Sequence, residues 1–221
     1  SASAARLHSE LISEATRACR WVHEVSDEVS EALSRDSQGI CAVARSGAIA
    51  SELPEIYPGD CIVVLAQSRD PGNAGTIMRT ADAMGARAIV SVKGSVEASS
   101  PKVIRSSAGS VFHLPIVPAD SFHEACQALR GINAVILGTS GARGAYSLSS
   151  LMSQASVEGR GWLTQTHAWV FGNEAQGMSQ AEMSACDALV MIPMSGDAES
   201  LNVASAAAMC LFASQSARVG E

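Results

Sequence analysis

Three apolar runs of this chain are each followed by a segment that is rich in glycine and in polar side chains. Residues 70–79 read DPGNAGTIMR, residues 171–179 read FGNEAQGMS, and residues 192–202 read IPMSGDAESLN. Glycine lets the backbone approach another group closely, and amide, carboxylate, hydroxyl and guanidinium groups can bind and orient that group. The segments therefore predict loops that bind a ligand and place a few side chains beside it.

The chemically capable side chains of these segments are Asn73, Arg79, Glu174, Ser200 and Asn202. Arg79 points away from the apolar face of its predicted helix, so a solvated surface arginine is an open alternative. Ser200 can also be a plain cap of the last helix, whereas Asn202 would lie inside the first turn, where capping is less expected. The first segment lacks the G-x-G-x-x-G pattern, which disfavours a dinucleotide-binding loop.

A local basic feature is carried by Lys102 and Arg105 in the segment 99–109, which reads SSPKVIRSSAG. The whole chain has a net charge of −7. Such a chain does not favour nucleic-acid binding, because phosphate contacts need Lys and Arg. A local basic patch can override that expectation, although two solvated surface cations are the alternative.

Runs of apolar residues that alternate with helical patterns must position these groups. Strands are predicted at residues 61–67, 87–92, 113–117, 133–138, 168–172 and 188–192, and helices at 73–86 and from about Ser200. Continuous apolar strands separated by helices are typical of a parallel α/β sheet that is covered on both faces. Ligands of such sheets bind beyond the carboxyl ends of the strands.

The first 50 residues differ from this pattern. A helix is predicted at residues 3–20, short strands at Trp21–Val25 and Ile40–Ala44, and a second helix after Ser26. A stretch with prolines and glycines then predicts a linker. The predicted domains are a small α/β domain at 1–50, a linker at 51–60 and a larger domain at 61–221.

Composition narrows the class of protein. The hydrophobic content of 47% is enough to form a sizeable core, and the six cysteines occur without a C-x-x-C pair. Scattered cysteines favour reduced thiols and disfavour a zinc site. No apolar run approaches 18 residues, and the chain does not begin with a signal-peptide pattern. We therefore expect a cytoplasmic protein with no metal and no membrane partner.

The order and spacing of four motifs closely resemble the SpoU/TrmH branch of the SPOUT RNA methyltransferases. The motifs are D-P-G-N-x-G-x-x-x-R-T-A-D-A-x-G, S-P-K-x-x-R-x-S-x-G, F-G-N-E-x-x-G-M-S and I-P-M-x-G-x-x-x-S-L-N-V-x-x-A. The resemblance covers residues 61–217. More weakly, residues 1–50 resemble the latter part of the small L30e-like RNA-binding domain of some ribosomal RNA members, with the first half missing.

The resemblance implies a parallel sheet with a deep C-terminal trefoil knot, a homodimer that shares its active site, and S-adenosyl-L-methionine as cofactor. The implied reaction methylates a ribose 2′-hydroxyl of RNA. By position, the resemblance implies catalytic roles for Asn73, Arg79, Glu174, Ser200 and Asn202. It implies cofactor contacts for Thr139, Gly141, Gly172, Ile192, Met194 and Leu201, and RNA contacts for Arg79, Lys102, Arg105 and Arg143.

The resemblance offers Arg79 as the base, but a guanidinium with a pKa above about 12 does not give up its proton. We expect Arg79 to bind the phosphate beside the target ribose and to orient the hydroxyl, while phosphate or water takes the proton. The cofactor carries an activated methyl group, so the protein mainly binds and aligns the reactants. Glu174 has two open roles, facing the reaction or holding its loop by hydrogen bonds.

The N-terminal resemblance favours 23S rRNA as the substrate. A tRNA substrate is one alternative, and a non-catalytic RNA-binding or ribosome-assembly protein on the same fold is another. The presence of Arg79, Glu174, Ser200 and Asn202 together argues against the non-catalytic alternative, because a binding protein does not need the full set. A different nucleotide-binding α/β enzyme is disfavoured by the missing phosphate-loop spacings.

Overall fold

The chain divides into two compact units, Ser1–Arg45 and Ser46–Glu221. The computed structural model describes four stretches of the chain, residues 8–19, 21–34, 39–141 and 144–218. In the first unit, helix α1 spans Ser9–Ala18 and helix α2 spans Asp27–Leu33. The predicted strands at Trp21–Val25 and Ile40–Ala44 are wrong, since neither segment has strand structure. A short strand needs a neighbouring strand to pair with, and no described segment of this unit is a strand.

The second unit is a parallel sheet of seven strands, as the alternation of apolar runs and helices predicts. The strands are β1 (Cys61–Leu65), β2 (Ala88–Val92), β3 (Ile116–Ala119), β4 (Val135–Thr139), β5 (Tyr146–Ser147), β6 (His167–Phe171) and β7 (Ala188–Met191). Their order across the sheet is β3-β2-β1-β6-β4-β7-β5, and every recorded pair is parallel. The sequence did not predict the two-residue β5, and it placed β3 three residues too early.

Helices cover both faces of this sheet. They are α3 (Pro71–Ala83), α4 (Pro101–Ser106), α5 (Phe122–Gly131), α6 (Leu148–Glu158), α7 (Gln180–Ala185) and α8 (Val203–Arg218), with 3₁₀ turns at Ser46–Ala48, Ser110–Phe112 and Trp162–Thr164. Alternate residues of β1 pack into two separate cores: Cys61, Val63 and Leu65 face α3, α4, α6 and α8, while Ile62 and Val64 face α5. Both faces of the strand are therefore apolar, which explains its unbroken apolar run.

Residues 46–60 belong to the second unit and pack against its sheet. The Ala50 carbonyl accepts the Ile116 N–H at 2.7 Å, and the Asp60 carbonyl accepts the His167 N–H at 3.0 Å. The Tyr57 carbonyl accepts the Thr166 hydroxyl at 3.2 Å. Among the described helices, none is both long enough and apolar enough to cross a membrane.

The two helices nearest the sequence motifs begin at capping side chains. Asp70 caps α3 by accepting the Asn73 N–H at 2.7 Å, and Pro71 occupies the first turn. Helix α8 begins at Val203 rather than near Ser200, because the Asn202 side chain caps it: its Oδ1 accepts the N–H groups of Ala204 at 2.9 Å and Ser205 at 3.3 Å. The sequence analysis favoured Ser200 over Asn202 as the cap, and the structure reverses that order.

A buried polar cluster ties α8 to the middle of the sheet. The Nδ1 atom of His167 lies 2.7 Å from the Gln165 carbonyl, which can only accept, so Nδ1 carries the proton. Nε2 therefore accepts the Ser214 hydroxyl at 2.7 Å, and Ser214 in turn accepts the Trp169 indole N–H at 2.8 Å. Burial lowers the pKa of His167 to about 4, with the charge of Arg218 acting in the same direction, while the hydrogen bond to Gln165 opposes them. The imidazole is neutral at neutral pH and all of its hydrogen bonds are made.

Acid should destabilise the fold through His167. An unfolded histidine titrates near pH 6.5, so between about pH 6.5 and pH 4 the unfolded chain binds a proton that the folded chain does not. The free energy of unfolding should therefore fall as the pH drops through this window, by on the order of 3 kcal/mol in total from this residue. In urea unfolding measured from pH 7 to pH 4, the free energy of unfolding should fall more steeply with pH for the unaltered protein than for His167→Gln. Equal slopes would contradict this assignment, as would an NMR titration of His167 near pH 6.5.

Candidate active site

The loops that carry the sequence motifs meet at the carboxyl-terminal ends of the strands, which we call the sheet edge. Strand β1 lies between β2 and β6, and the chain runs outward from β1 through β2 to β3, whereas β4, β7 and β5 lie on the far side of β6. The order of strands therefore reverses between β1 and β6, which is where open α/β sheets bind ligands. Leu65 pairs with Phe171, so both strands end at the same level and their following loops are neighbours.

The Glu174 carboxylate joins these two loops. It accepts the Ser68 hydroxyl at 2.8 Å, the Arg69 N–H at 3.2 Å and the Asp70 N–H at 3.3 Å. Partial burial acts to raise the pKa of this carboxyl, but hydrogen bonds from these groups and from the backbone N–H of Glu174 outweigh that effect and hold the pKa below its ordinary value. Glu174 is therefore ionised at neutral pH and already occupied by donors of its own chain.

The loop after β6 is closed by its own backbone. Asn173 and Gly177 exchange two backbone hydrogen bonds of 3.0 and 2.8 Å, and the Asn173 amide donates to the Gln67 carbonyl at 3.1 Å. Gly177 has φ +67°, and a Cβ on Gly172 would lie 2.6 Å from the carbonyl carbon of Gly177. Close packing within the loop therefore requires glycine at 172, and the left-handed backbone favours glycine at 177, whether or not a ligand approaches Gly172.

An amide–amide hydrogen bond joins the first and last motifs. Asn202 Nδ2 donates to Asn73 Oδ1 at 3.0 Å. Because the Asn202 oxygen already caps α8, its amide orientation is fixed, and this in turn fixes the Asn73 oxygen toward Asn202. The Asn73 Nδ2 group makes no hydrogen bond with a described residue, so both of its N–H donors remain available.

Arg79 and Ser200 are not drawn into this network. Both are exposed, and neither makes a recorded hydrogen bond or ion pair with any described residue. Arg79 lies six residues beyond Asn73, or about 9 Å further along α3. The structure thus brings Asn73, Asn202 and Glu174 into one hydrogen-bond network. It leaves Arg79, on the same helix as Asn73, as a cation without a partner among the described residues.

The predicted cofactor residues lie at or after the ends of β4, β6 and β7, which are neighbours in the sheet. The Thr139 hydroxyl bonds the Val170 carbonyl at 2.9 Å, Ile192 is half-buried, and Met194 and Leu201 are 44% and 36% exposed. A Cβ on Gly141 would contact nothing within 4 Å among the described residues. The backbone of residues 193–201 exchanges no hydrogen bond with the backbone of another described residue, so its polar groups are available to a ligand.

Two of the predicted RNA-contacting cations, Lys102 and Arg105, lie on α4, which packs on the start of α3. Lys102 and Arg105 are both exposed. The Ser106 hydroxyl bonds the Pro71 carbonyl at 2.8 Å, and a Cβ on Gly75 would collide with that hydroxyl, so glycine permits the close packing. Arg143 lies outside the described residues.

Sequence reasoning missed Ser68 and Ser95. Ser68 is 1% exposed and bonds Glu174, and Ser95 bridges the Leu65 carbonyl at 3.0 Å and the Ser68 N–H at 3.2 Å. A single serine after a strand carries no signal of this kind in one sequence. In the part of the chain that the structure describes, no cluster of three or more His, Cys, Asp or Glu residues is arranged to hold a metal ion.

Comparison with known proteins matches residues 60–212 to the SpoU rRNA Methylase family. A relative from Bordetella pertussis named 23S rRNA (guanosine-2′-O-)-methyltransferase RlmB is 31% identical over 95% of this chain and 83% of its own length. A relative from Nitrosomonas europaea with the same name is 36% identical over 68% of this chain and 54% of its own length.

Solved structures agree with this match. The SpoU methyltransferase AviRb from Streptomyces viridochromogenes in complex with AdoMet is 31% identical, with a TM-score of 0.66 over 78% of this chain and 66% of its own. An rRNA methyltransferase from Sinorhizobium meliloti is 29% identical, with a TM-score of 0.71 over 86% of this chain and 69% of its own. Family match, relatives and fold converge, and the chain belongs to the SpoU rRNA methylase family.

Proposed function

We propose that this protein is an S-adenosyl-L-methionine-dependent methyltransferase that acts on a ribose 2′-hydroxyl of 23S rRNA. The network that joins Glu174 to the loop after β1, and Asn73 to Asn202, carries the proposal, because it assembles polar groups from three motifs at one sheet edge. The names of the relatives favour ribosomal RNA over transfer RNA as the substrate.

The loops after β4, β6 and β7 would hold the cofactor. Thr139, Gly141, Gly172, Ile192, Met194 and Leu201 are the residues that we assign to it. The apolar Met194 and Leu201 side chains and the free backbone groups of residues 193–201 suit a flat, polar-edged adenine. When bound, the cofactor supplies an activated methyl group for transfer to oxygen.

The side chains of this chain would orient the target ribose. Arg79, as a free and permanently charged guanidinium, binds the phosphate beside that ribose. Asn73 has amide donors that remain free after its bond to Asn202, and these can hold a ribose oxygen. Ser200, exposed and uninvolved in capping, can bind the same nucleotide. Alignment of this kind is where a transfer from an activated donor gains most of its rate.

We assign Glu174 a positioning role rather than a proton-transfer role. Its carboxylate accepts hydrogen bonds from three donors of residues 68–70, and these bonds help to keep it ionised. It therefore has no proton to give, and the lone pairs that accept these bonds are not available to a substrate. The carboxylate instead fixes the loop that leads into Asn73.

A homodimer, a C-terminal trefoil knot and a cytoplasmic location complete the proposal. Membership of the family supports the knot, and a ribosomal RNA substrate supports the location. Helix α8 supports the dimer, because Met209 and Phe212 lie three residues apart on one side of it and are 44% and 55% exposed. The chain path in a crystal structure and cell fractionation would check the knot and the location.

Methyl transfer is the direct test of the function. Tritium from labelled S-adenosylmethionine should pass to 23S rRNA and should be recovered in a 2′-O-methylated nucleotide.

Arg79→Ala should lower the rate of methyl transfer at least about a hundredfold, because a charge aimed at the reacting nucleotide is lost. Calorimetry should show unchanged cofactor affinity in this variant, and Arg79→Lys should also be poor because it lacks the planar fork. Arg160→Ala, which changes the same charge at a site paired with Glu158, is the control. Lost cofactor binding in Arg79→Ala would refute its assigned role.

Glu174→Gln should test the positioning role. The Gln amide would point an N–H₂ group at backbone donors, which should lower the free energy of unfolding by about 1–3 kcal/mol. The methyl-transfer rate should fall about tenfold or more while the shape of its pH profile stays the same. The effects of Glu174→Gln and Ser68→Ala on unfolding should not add, since the two side chains share one hydrogen bond. A variant that loses one limb of the pH profile would instead identify Glu174 as a proton-transfer group.

Phe212→Asp should test the dimer. A charge placed in a buried apolar interface should shift the protein from dimer to monomer in sedimentation velocity. Gln127→Asp on α5, an exposed position on the opposite face of the sheet, adds the same charge and should leave the dimer intact. A monomeric unaltered protein, or a dimer that survives Phe212→Asp, would rule out this interface.

A further inference from the structure

Arg69 is a cation at the same sheet edge to which no motif assigns a role. It lies between the end of β1 and Asp70, the residue that caps α3. Its side chain is exposed, and its guanidinium makes no recorded hydrogen bond or ion pair with any described residue. The Glu174 carboxylate lies close enough to accept the backbone N–H of Arg69 at 3.2 Å, yet the guanidinium does not pair with it.

The backbone on both sides of Arg69 is fixed. The Gln67 carbonyl accepts the Asn173 amide at 3.1 Å, the Ser68 carbonyl accepts the Val96 N–H at 2.8 Å, and Asp70 N–H binds Glu174. Gln67 adopts φ +59°, a left-handed conformation that is uncommon for residues other than glycine and tends to occur at functional sites. Ser68 is buried while its neighbours are exposed, so the loop directs the Arg69 side chain away from the core.

Negative charges lie close to the exposed guanidinium of Arg69. Glu174 and Asp70 place two carboxylates at the edge that RNA must approach, and both would repel a phosphate. Neither carboxylate forms an ion pair with the Arg69 guanidinium among the described residues, so the guanidinium stays available to a phosphate. The Ser106 hydroxyl bonds the Pro71 carbonyl, which holds α4, the helix of Lys102 and Arg105, against the start of α3 that follows this loop.

We infer that Arg69 is an RNA-binding residue that contacts a backbone phosphate of the substrate next to the target nucleotide. This inference rests on the proposed function and adds a contact that the family motifs do not include. Because the backbone is already fixed, RNA binding does not have to order this loop, and the planar fork of arginine can make two hydrogen bonds to one phosphate. The positive charge of Arg69 thus offsets the repulsion between the two carboxylates and the phosphate. It adds to the positive charges that α3 and α4 carry.

The salt dependence of RNA binding tests this inference. The probe is a fluorescein-labelled, 20-nucleotide single-stranded RNA, and its affinity is measured by anisotropy at several salt concentrations. Arg69→Ala should lower the slope of log K against log salt by about 0.7 and weaken binding about tenfold. Arg69→Lys keeps the charge and should keep the slope. Arg160→Ala makes the same change in net charge on an exposed ion pair elsewhere and should leave both quantities unchanged.

Two further measurements separate binding from folding. With unmodified 23S rRNA, Arg69→Ala should raise KM about tenfold and leave kcat nearly constant, the pattern expected when a uniform binding contact is lost. Its cofactor affinity and unfolding temperature should match those of the unaltered protein. If Arg69→Ala fails to fold, Arg69→Gln removes the charge and keeps the length of the side chain.

The outcomes distinguish this inference from the function on which it rests. If the unaltered protein methylates 23S rRNA and Arg69→Ala keeps the wild-type slope and KM, the role of Arg69 is overturned and the function stands. If the unaltered protein binds the RNA but transfers no methyl group, the proposed function fails, while the slope still decides whether Arg69 contacts phosphate. If the unaltered protein does not bind RNA, both are overturned.

Discussion

The site depends on one carboxylate that holds two strand ends together. Strands β1 and β6 end at the same level, and their loops begin 106 residues apart in the sequence. The Asn173 amide makes one hydrogen bond between these loops, and the Glu174 carboxylate makes three more. Glu174 accepts two backbone N–H groups and one hydroxyl from the β1 loop, so a single side chain satisfies three donors that the strand end leaves unpaired. Hydrogen bonds to an ionised acceptor are stronger than those between neutral groups. The positions of Arg69, Asp70 and the first turn of α3 all follow from this contact.

A second hydrogen-bonded contact, between Asn73 and Asn202, connects α8 to the same part of the site. One amide has two kinds of group, and Asn202 uses its oxygen to cap a helix and its nitrogen to hold Asn73. The cap fixes the orientation of one amide, and the hydrogen bond passes that orientation to the next. A helix start is therefore coupled to the position of a side chain on a different helix, 129 residues away in sequence. The contacts of Glu174 and the Asn73–Asn202 hydrogen bond thus attach the polar side chains of the site to the ends of the strands.

Sequence reasoning recovered the parts of this arrangement that local patterns determine. Apolar runs such as Cys61–Leu65 and His167–Phe171 give strands because both of their faces are buried, and Asp70-Pro71 gives a helix start. The partners of Glu174 could not be predicted, because Ser68 becomes its neighbour only when the sheet forms. The loop glycines were predicted for a ligand-related reason, but a Cβ on Gly172 is excluded by the chain itself. Asn202 was misjudged because capping depends on where the helix begins, which packing decides and propensity does not.

The two halves of the site are built on opposite principles, and this division fits a reaction between a small cofactor and a large RNA. The half formed by β1, β6 and α3 has its polar groups bound to one another, so its geometry exists before any substrate arrives. The backbone of residues 193–201 makes no hydrogen bond with the backbone of another described residue, so a ligand can supply partners for it. A large polyanion brings its own constraint, since the chain carries a net charge of −7. Its carboxylates Glu174 and Asp70 bind backbone groups, while Arg69, Arg79 and Lys102 remain without an anionic partner among the described residues. The local field at the sheet edge can thus attract phosphate although the molecule as a whole repels it, because screening at physiological salt limits the reach of distant charges to about 8 Å.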